Sequence, residues 1–343
     1  MLPSMGRVED MPRAFVLAML ALLLPLRAAM GQPAEPPPKP MVTVGVRIDA
    51  PPFAWQTDDG GYSGFLYNLC VDATVRAGYP MKTVPINVSD RSDFLEGRRN
   101  DLDLLCDPIT ITLGRLEVLR ALAAPQPEFS PIIFVANGSY MTNLDAEAGR
   151  LTAAEAQTLE CLAGPEEQAP KDPVAEIVYL AAGFVGETTA KNTLRTALRP
   201  GRLELNANER LCLIERKTHW EAAEDYCQGK LRYYFGDEDI MRSAVRIRAE
   251  RGSGCPEALV SLPLSYEPYG LVISGRQPGF RQDFVMALYE LFHFEPAEGR
   301  FQRSFQGQKM SPYLEMLFRI LAIPAGDLND GALAGNNPAS ASR

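Results

Sequence analysis

Histidine is scarce in this chain, which contains only His219 and His293, and the cysteines include no C-x-x-C pair. Structural zinc sites need four closely grouped cysteine or histidine ligands, so this composition argues against a metal centre. Two histidines also leave few candidates for a general base, and no Ser-His-Asp or Cys-His set is apparent. The sequence therefore predicts no metal, no cofactor and no catalytic residues, although a carboxylate pair such as Glu238 and Asp239 keeps an enzyme open.

Basic residues are also in short supply: 34 Lys and Arg face 43 Asp and Glu, which gives a formal charge of −9. This balance argues against a nucleic-acid partner, which usually requires a basic surface. It also provides no basic cluster for an anionic membrane. Hydrophobic residues make up 46% of the chain, an ordinary share for a globular protein with a sizeable core.

One apolar run near the N-terminus, Ala14 to Leu26, is flanked by Arg13 and Arg27. It is too short to span a bilayer and has the position of the hydrophobic region of a secretory signal. Ala29-Met30-Gly31 has the small-x-small pattern of a cleavage site before Gln32. We therefore predict that residues 1–31 are a signal peptide and that the mature protein is periplasmic.

The six cysteines of an exported protein fit three disulfides, for which fifteen pairings exist. The best single prediction joins Cys70 to Cys106, because Cys70 lies in a predicted helix and Cys106 ends a neighbouring predicted strand. The partners of the other four cysteines stay open, and they are Cys161, Cys212, Cys227 and Cys255.

Strand and helix patterns alternate along the first hundred residues. The segments Val42 to Arg47 and Thr83 to Val88 read as strands, whereas Leu66 to Ala77 and Arg91 to Arg98 read as helices. This alternation predicts a parallel sheet with helices on its faces. Ligands of such sheets bind at the carboxyl ends of the strands.

The stretch from Gly97 to Arg115 carries the main site prediction. A short apolar strand, Asp101 to Cys106, is expected to stop at Pro108, and a second β-branched run leads to Arg115. The guanidinium of Arg115, with the hydroxyls of Thr110 and Thr112 and free backbone donors, suits a carboxylate. The simpler alternative is a surface arginine at a helix end.

The segment Thr112-Leu-Gly-Arg115, directly after a strand that contains Asp103-Leu104, resembles the core motif of periplasmic solute-binding proteins of polar amino-acid ABC importers. Those family 3 proteins have the type 2 periplasmic binding fold. The resemblance implies that Arg115 binds the α-carboxylate of an amino acid. It also implies that Phe53, in the Pro-Phe loop before Gly64-Phe65, covers the ligand's side chain, although a core aromatic is the commoner role.

The second half of the chain continues the resemblance. Thr188 and Thr189 follow a predicted strand and would present hydroxyls and helix N-terminal amides to an anion, or simply cap the helix. Asp237 matches the acid that binds the ligand's ammonium, with Asp239 as the fallback and a helix cap as the alternative role. Arg232 replaces another acid of the family pattern.

The predicted fold class is α/β, with two lobes that each contain a mainly parallel sheet flanked by helices and that are joined by two crossover strands. We assign residues 41–135 and 267–324 to lobe one and residues 136–266 to lobe two. Residues 32–40 form a proline-rich flexible lead and residues 325–343 a disordered tail. The segment from Leu144 to Asp172 matches the family poorly and reads as a helical excursion or a surface loop.

The resemblance implies a protein that captures an amino acid or a similar small zwitterion by closing its cleft. Its partners would be this ligand and the permease of an ABC transporter in the inner membrane, and we expect a monomer. Two alternatives stay open: an enzyme on the same fold, dehydratase-like or lyase-like, and a ligand-sensing module of a membrane receptor.

Overall fold

The computed structural model describes residues 38–163 and 176–324, apart from residues 204, 253, 257 and 306. The predicted signal peptide and the predicted disordered tail lie outside the described residues. The strands are β1 (Val42–Arg47), β2 (Asp49–Ala50), β3 (Ala54–Gln56), β4 (Tyr62–Ser63), β5 (Met81–Ile86), β6 (Leu104–Thr110), β7 (Glu128–Phe129), β8 (Phe134–Asn143), β9 (Arg150–Leu151), β10 (Cys161–Ala163), β11 (Val178–Val185), β12 (Glu209–Arg216), β13 (Tyr233–Asp237), β14 (Ala258–Val260) and β15 (Ser265–Ile273). The helices are α1 (Phe65–Arg76), α2 (Val88–Leu95), α3 (Leu113–Ala121), α4 (Ala153–Ala156), α5 (Ala190–Ala197), α6 (His219–Cys227), α7 (Glu238–Glu250), α8 (Phe280–Phe294), α9 (Ala297–Ser304) and α10 (Pro312–Leu321).

Two parallel groups of strands lie at opposite ends of one long sheet. The path of the sheet is β10-β12-β11-β13-β8-β15-β6-β1-β5. Strands β5, β1 and β6 pair in parallel and belong to lobe one, and strands β12, β11 and β13 pair in parallel and belong to lobe two. Strands β8 and β15 pair antiparallel with each other between these groups. The predicted fold class, two lobes joined by two crossover strands, is therefore confirmed.

Apolar side chains cover both faces of each parallel group. In lobe one, the valines of β1 pack with α1 and the C-terminal helices α8 and α10 in one core cluster. A second cluster on the same lobe contains Ile86, Leu105 and Leu119. Lobe two has its own pair of clusters, one built on α6 and α7 and the other on α5. This double burial explains why the central strands read as continuous apolar runs.

Helix α1 begins at Phe65, one residue before its predicted start at Leu66. Gly64 has a φ of 130°, and a Cβ atom at this position would lie 2.1 Å from the carbonyl oxygen of Phe53. Only glycine fits this close approach. The amide of Phe65 then donates a hydrogen bond to the carbonyl of Pro52, so the Pro-Phe loop and the helix start form one unit.

Strand β6 runs through Pro108, and the predicted break at this proline was wrong. Proline lacks a backbone N–H and is tolerated in a sheet where the hydrogen-bond ladder is interrupted. The pairing of β6 with β15 shifts register between Gly270 and Val272, and Pro108 lies in the unpaired stretch of β6 between Leu105 and Ile109. The strand therefore continues to Thr110 and brings Asp107, Thr110 and Arg115 to one end of the sheet.

Helix α2 spans Val88–Leu95, whereas the sequence predicted residues 91–98. Its start is fixed by a capping box, in which Asn87 accepts a hydrogen bond from the amide of Asp90 and the Asp90 carboxylate accepts one from the amide of Asn87. This earlier start places Arg91 in the first turns, where its side chain is buried.

The three disulfides expected from six cysteines are present. Cys70 is joined to Cys106 as predicted, which ties α1 to β6. Cys161 is joined to Cys212 across the antiparallel pair β10–β12, and Cys227 at the end of α6 is joined to Cys255. The described part of the segment from Leu144 onward contains β9, α4 and β10, so it is neither a single helix nor a plain loop.

Candidate functional site

A small cavity lies where the carboxyl ends of β1 and β6 face the first turns of α5, α6 and α7. Lobe one lines it with Arg47, Arg91, Asp107, Thr110 and Arg115. Lobe two lines it with Thr188, Thr189, His219, Asp237 and Ile240. Its volume of about 20 Å³ is room for about one water molecule. Larger pockets open at the surface, but this cavity collects buried charged groups from both lobes.

Arg115 is held at the start of α3 by its neighbours. Thr112 is the N-cap residue and accepts a hydrogen bond from the Arg115 amide at 3.2 Å. The Arg115 Nη1 donates to the carbonyl oxygen of Thr110 at 2.7 Å. Burial lowers the pKa of the Arg115 guanidinium, and the nearby carboxylates of Asp107, Glu267 and Asp237 offset part of that effect. An added anion would stabilise this partly compensated cation.

Asp237 ends β13 and is the N-cap residue of α7, yet its side chain makes no capping hydrogen bond. Its carboxylate accepts a hydrogen bond from the hydroxyl of Tyr269 instead. Burial raises the pKa of Asp237 to about 7, and the Glu267 carboxylate adds to the increase. A neighbouring cation would lower this pKa again, because it favours the ionised form.

Arg115 and Asp237 line one cavity from opposite lobes without pairing. Among the ion pairs between described residues, none joins these two side chains, although their charges interact. The structure therefore brings the predicted carboxylate-binding and ammonium-binding groups together, on different lobes and facing the same space. Neither charge is neutralised by an ion pair with the other, so both side chains can bind a ligand.

Beside Arg115 lies a buried network that the sequence reading missed. The Arg47 side chain is 1% exposed and donates through Nε to Asp49. Its Nη1 lies 3.5 Å from an oxygen of Asp107, and the Arg91 Nη1 lies at the same distance from that oxygen. Arg91 also donates to the carbonyl oxygen of Glu187 in lobe two. Burial lowers the pKa of Arg91 to about 10, partly offset by Asp107, and the charges of Arg47 and Arg115 lower it further.

His219 approaches the same network from lobe two. Its backbone amide, at the start of α6, donates to Asp49 at 2.8 Å. Its Nδ1 lies 2.8 Å from the hydroxyl of Tyr234. Burial lowers the pKa of His219 to about 4, so the ring is neutral at pH 7 and adds no charge to the cavity.

The remaining predicted residues separate into two groups. Thr110, Thr188 and Thr189 line the cavity, and the Thr188 hydroxyl donates to the carbonyl of Val185 at 2.7 Å. Thr112 acts as the cap of α3 and does not line the cavity.

Phe53 is not brought to the site. Its ring is completely buried and packs edge-on against Phe134, Tyr269 and Phe305, with ring centroids 4.8–5.4 Å apart. The sequence reading expected Phe53 to cover the ligand, but in this structure it is a core aromatic. The loop that carries it turns inward because Gly64 lets the chain approach its carbonyl.

Direct contacts between the lobes close the cleft around the cavity. The indole Nε1 of Trp220 donates to the carbonyl of Ile48 at 3.3 Å. Ser92 donates to the carboxylate of Glu187, and the Arg251 guanidinium lies 2.5 Å from Asp58. Together with the Asp49–His219 contact, these bonds hold both lobes against each other.

The described ranges, 38–163 and 176–324, contain no group of three or more His, Cys, Asp or Glu side chains arranged to hold a metal ion. They contain no helix that is both long enough and apolar enough to cross a membrane.

Solved structures with the same fold are two-lobed binding proteins. An ancestral arginine-binding protein bound to arginine is 15% identical, with 77% of this chain and 98% of that chain covered and a TM-score of 0.54. A His/Glu/Gln/Arg/opine family-binding protein from Silicibacter pomeroyi, in complex with lysine, is 17% identical, with 79% of this chain and 99% of that chain covered and a TM-score of 0.51. An ancestral amino acid-binding protein, a precursor of cyclohexadienyl dehydratase, is 15% identical, with 78% of this chain and 96% of that chain covered and a TM-score of 0.54.

These likenesses establish the class of the molecule as a type 2 periplasmic binding fold. The sequence family follows from a family model of the bacterial extracellular solute-binding proteins, family 3, which matches residues 42–217, just over half of the chain. The chain belongs to that family, as its resemblance predicted. No curated protein sequence matches the chain. The family is one of extracellular binding proteins, which agrees with a solute-binding role.

Proposed function

We propose that this protein captures an amino acid, or a similar small zwitterion, outside the cytoplasm and delivers it to an ABC importer in the inner membrane. The protein would act in the periplasm as a monomer, with its signal peptide removed. The ligand's carboxylate binds Arg115 of lobe one and its ammonium binds Asp237 of lobe two.

One observation carries the proposal: an arginine and an aspartate from opposite lobes line the same cavity and do not pair with each other. A zwitterion supplies one charge of each sign and so satisfies both. Because each lobe holds only one of the two partners, the closed form binds the ligand more tightly than the open form, and this difference drives closure.

The energies required are modest. A micromolar complex needs about 8 kcal/mol in total, and two charge-assisted pairs in a water-excluded cleft contribute a large share of it. The cavity of about 20 Å³ is smaller than an amino acid. Entry therefore requires the lobes to move apart, with bending at β8 and β15, and reclosure around a ligand leaves a wider cleft.

The solved structures of the same fold support the choice of ligand. Two of them are described as bound to arginine and to lysine. Both ligands have an α-carboxylate and an α-ammonium, and these are the groups that the unpaired Arg115 and Asp237 would bind.

The decisive experiment is isothermal titration calorimetry of purified Arg115→Ala with the twenty common amino acids. We expect loss of binding for every amino acid that the unaltered protein binds, because the carboxylate then lacks its fork of donors. Arg120→Ala on the same helix is the matched control, since Arg120 is exposed and should leave affinity unchanged. Unchanged affinity of Arg115→Ala for such an amino acid would contradict the proposal.

An enzyme is the second candidate, and one observation favours it. Asp237 faces the cavity, is hydrogen-bonded to Tyr269 and has a pKa near 7, which suits a general acid or base. One structure of the same fold is described as a precursor of cyclohexadienyl dehydratase. Turnover of a carboxylate substrate that is abolished by Asp237→Asn would favour a lyase over a binding protein.

A further inference from the structure

Three charged side chains of lobe one form a second part of the cavity, beside Arg115. They are Arg47, Arg91 and Asp107, and each is at least 97% buried, with relative exposures of 1%, 3% and 0%. All three line the cavity. We call these three residues the lobe-one cluster.

The lobe-one cluster has polar atoms without partners. Arg47 Nη2 and Arg91 Nε are buried donors that make no hydrogen bond, and both carboxylate oxygens of Asp107 are buried acceptors that receive none. Buried polar groups are satisfied in the great majority of cases. Two open donors and two open acceptors, all on residues that line one cavity, therefore indicate a ligand group that carries both kinds of atom.

The charges of the lobe-one cluster are balanced once its neighbour Asp49 is included. Arg47 and Arg91 contribute two positive charges, and Asp107 together with Asp49, which accepts from Arg47 Nε, contributes two negative charges. The presence of several arginines in the cavity is therefore no sign of an acidic ligand.

Elimination follows from this balance. A ligand carboxylate would satisfy the arginine donors but would meet the two open oxygens of Asp107. An ammonium or guanidinium would satisfy Asp107 but would meet the open donors of Arg47 and Arg91. Either arrangement leaves buried groups unpaired, which is costly. A neutral group with a carbonyl oxygen and N–H donors satisfies all of them.

We propose that the lobe-one cluster selects ligands with a neutral carboxamide or ureido side chain, as in glutamine, asparagine or citrulline. The carbonyl oxygen accepts from Arg47 and Arg91, and the N–H groups donate to Asp107. This inference rests on the proposed function, in which Arg115 and Asp237 hold the α-carboxylate and the ammonium. Asp107 sets the charge of the subsite and is its specificity residue.

The test is calorimetry with matched ligands: glutamine against glutamate, asparagine against aspartate, and citrulline against arginine. We expect each neutral ligand to bind at least tenfold more tightly than its charged counterpart. Tighter binding of the charged ligands, or equal affinity within each pair, would overturn the inference while leaving the proposed function standing. Absence of binding by every amino acid would overturn both.

Two charge variants sharpen the result. Asp107→Asn gives the subsite one excess positive charge, so the ratio of glutamine to glutamate affinity should fall at least tenfold. Arg91→Gln gives it one excess negative charge, so the ratio of citrulline to arginine affinity should fall similarly. Glu117→Gln, at an exposed position of α3, should change neither ratio, and unaltered ratios in both folded charge variants would contradict the proposal. If neither variant folds, the matched ligand pairs on the unaltered protein decide.

Discussion

The two lobes present opposite kinds of carboxylate to the cleft. In lobe one, Asp49 is paired with the buried Arg47, and this guanidinium outweighs the effect of burial, so the pKa of Asp49 is lowered. In lobe two, burial raises the pKa values of Asp237 and Asp239 to about 7, and neighbouring carboxylates add to both increases. Asp49 of lobe one thus has a cationic partner in Arg47, whereas Asp237 of lobe two forms no ion pair within the described residues.

This difference distinguishes charges that stabilise the fold from charges that can bind a ligand. A charge that already has its partner contributes to folding, and a charge without one gains most from a ligand. Under the proposed function, the Arg47–Asp49 pair stabilises the fold of lobe one, and the Asp237 carboxylate becomes favourable in its ionised form when the ligand's ammonium binds.

The largest effect should come from breaking the buried pair of lobe one. Arg47→Leu leaves Asp49 buried without its cation and leaves Asp107 with Arg91 alone. It should lower the free energy of unfolding by about 3–5 kcal/mol. Arg242→Leu in lobe two is the control, because its pair with Glu238 on α7 is partly exposed and should contribute less than about 1 kcal/mol. Urea unfolding measures both, and equal losses would contradict the contrast.

The disulfides test the same contrast through ligand affinity. Replacing Cys70 and Cys106, or Cys161 and Cys212, by serine should each cost about 4 kcal/mol of unfolding free energy, since the loops are similar in length. Only the first pair adjoins the site, because Cys106 precedes Asp107 in β6. Calorimetry should therefore show weaker ligand binding for the first double variant alone.

The acids should respond to pH in opposite directions. The folded-state pKa of Asp237 is raised, so its cost to stability is absent near pH 4 and complete above about pH 7. Asp237→Asn should then be more stable than the unaltered protein at pH 8, by about 2 kcal/mol after solvent screening, with the gap closing towards pH 4.

Asp49 has the opposite sign, because its folded-state pKa is lowered. Its contribution is present at neutral pH and is lost as pH falls through the acid range, so Asp49→Asn should be destabilising at pH 7, by about 1–3 kcal/mol. Thermal melts of both aspartate variants without ligand, from pH 4 to pH 8, provide the comparison. Parallel pH profiles would refute the distinction between the lobes.

The smallest effect should come from the exposed contact between the lobes. Arg251→Ala removes the ion pair with Asp58 and the contact of the guanidinium with the Trp220 ring, 5.9 Å from its centroid. Both acidic and basic partners are exposed, so the loss should be at most about 1 kcal/mol and should fall with added salt. A loss of thermal stability above about 1 kcal/mol that does not change with salt would show that closure of the cleft depends on the contacts of Arg251.

The sequence predicted those elements whose bounds depend mainly on residues close together in the chain. Val42 to Arg47 is the predicted strand β1. Helix α1 begins within one residue of its predicted start, because Gly64 permits the close approach of the chain. Thr112 caps the helix that carries Arg115, as the short spacing between them allows.

The lobe-one cluster escaped sequence reading because its members meet only through the sheet. Arg47 ends β1, Arg91 lies in α2, and Asp107 lies in β6, so no local motif contains them. A usable signal existed, since Arg47 and Asp107 both lie near the carboxyl ends of strands predicted to be parallel. Sequence alone could not decide between the two roles considered for Phe53, because a core aromatic and a ligand-covering aromatic are the same residue type, and the structure places its ring in the core.

Lobe one is assembled from two distant parts of the chain. Strands β1, β5 and β6 come first, but the helices that complete their core, α8 and α10, follow the whole of lobe two. Phe134, at the start of β8, stacks against Phe305, which follows α9 near the C-terminal end of the described chain. During synthesis, lobe two can therefore fold while strands β1, β5 and β6 still lack the helices that cover them. A nascent chain halted after β13 would expose the valines of β1, and it should recruit a chaperone until the last helices emerge.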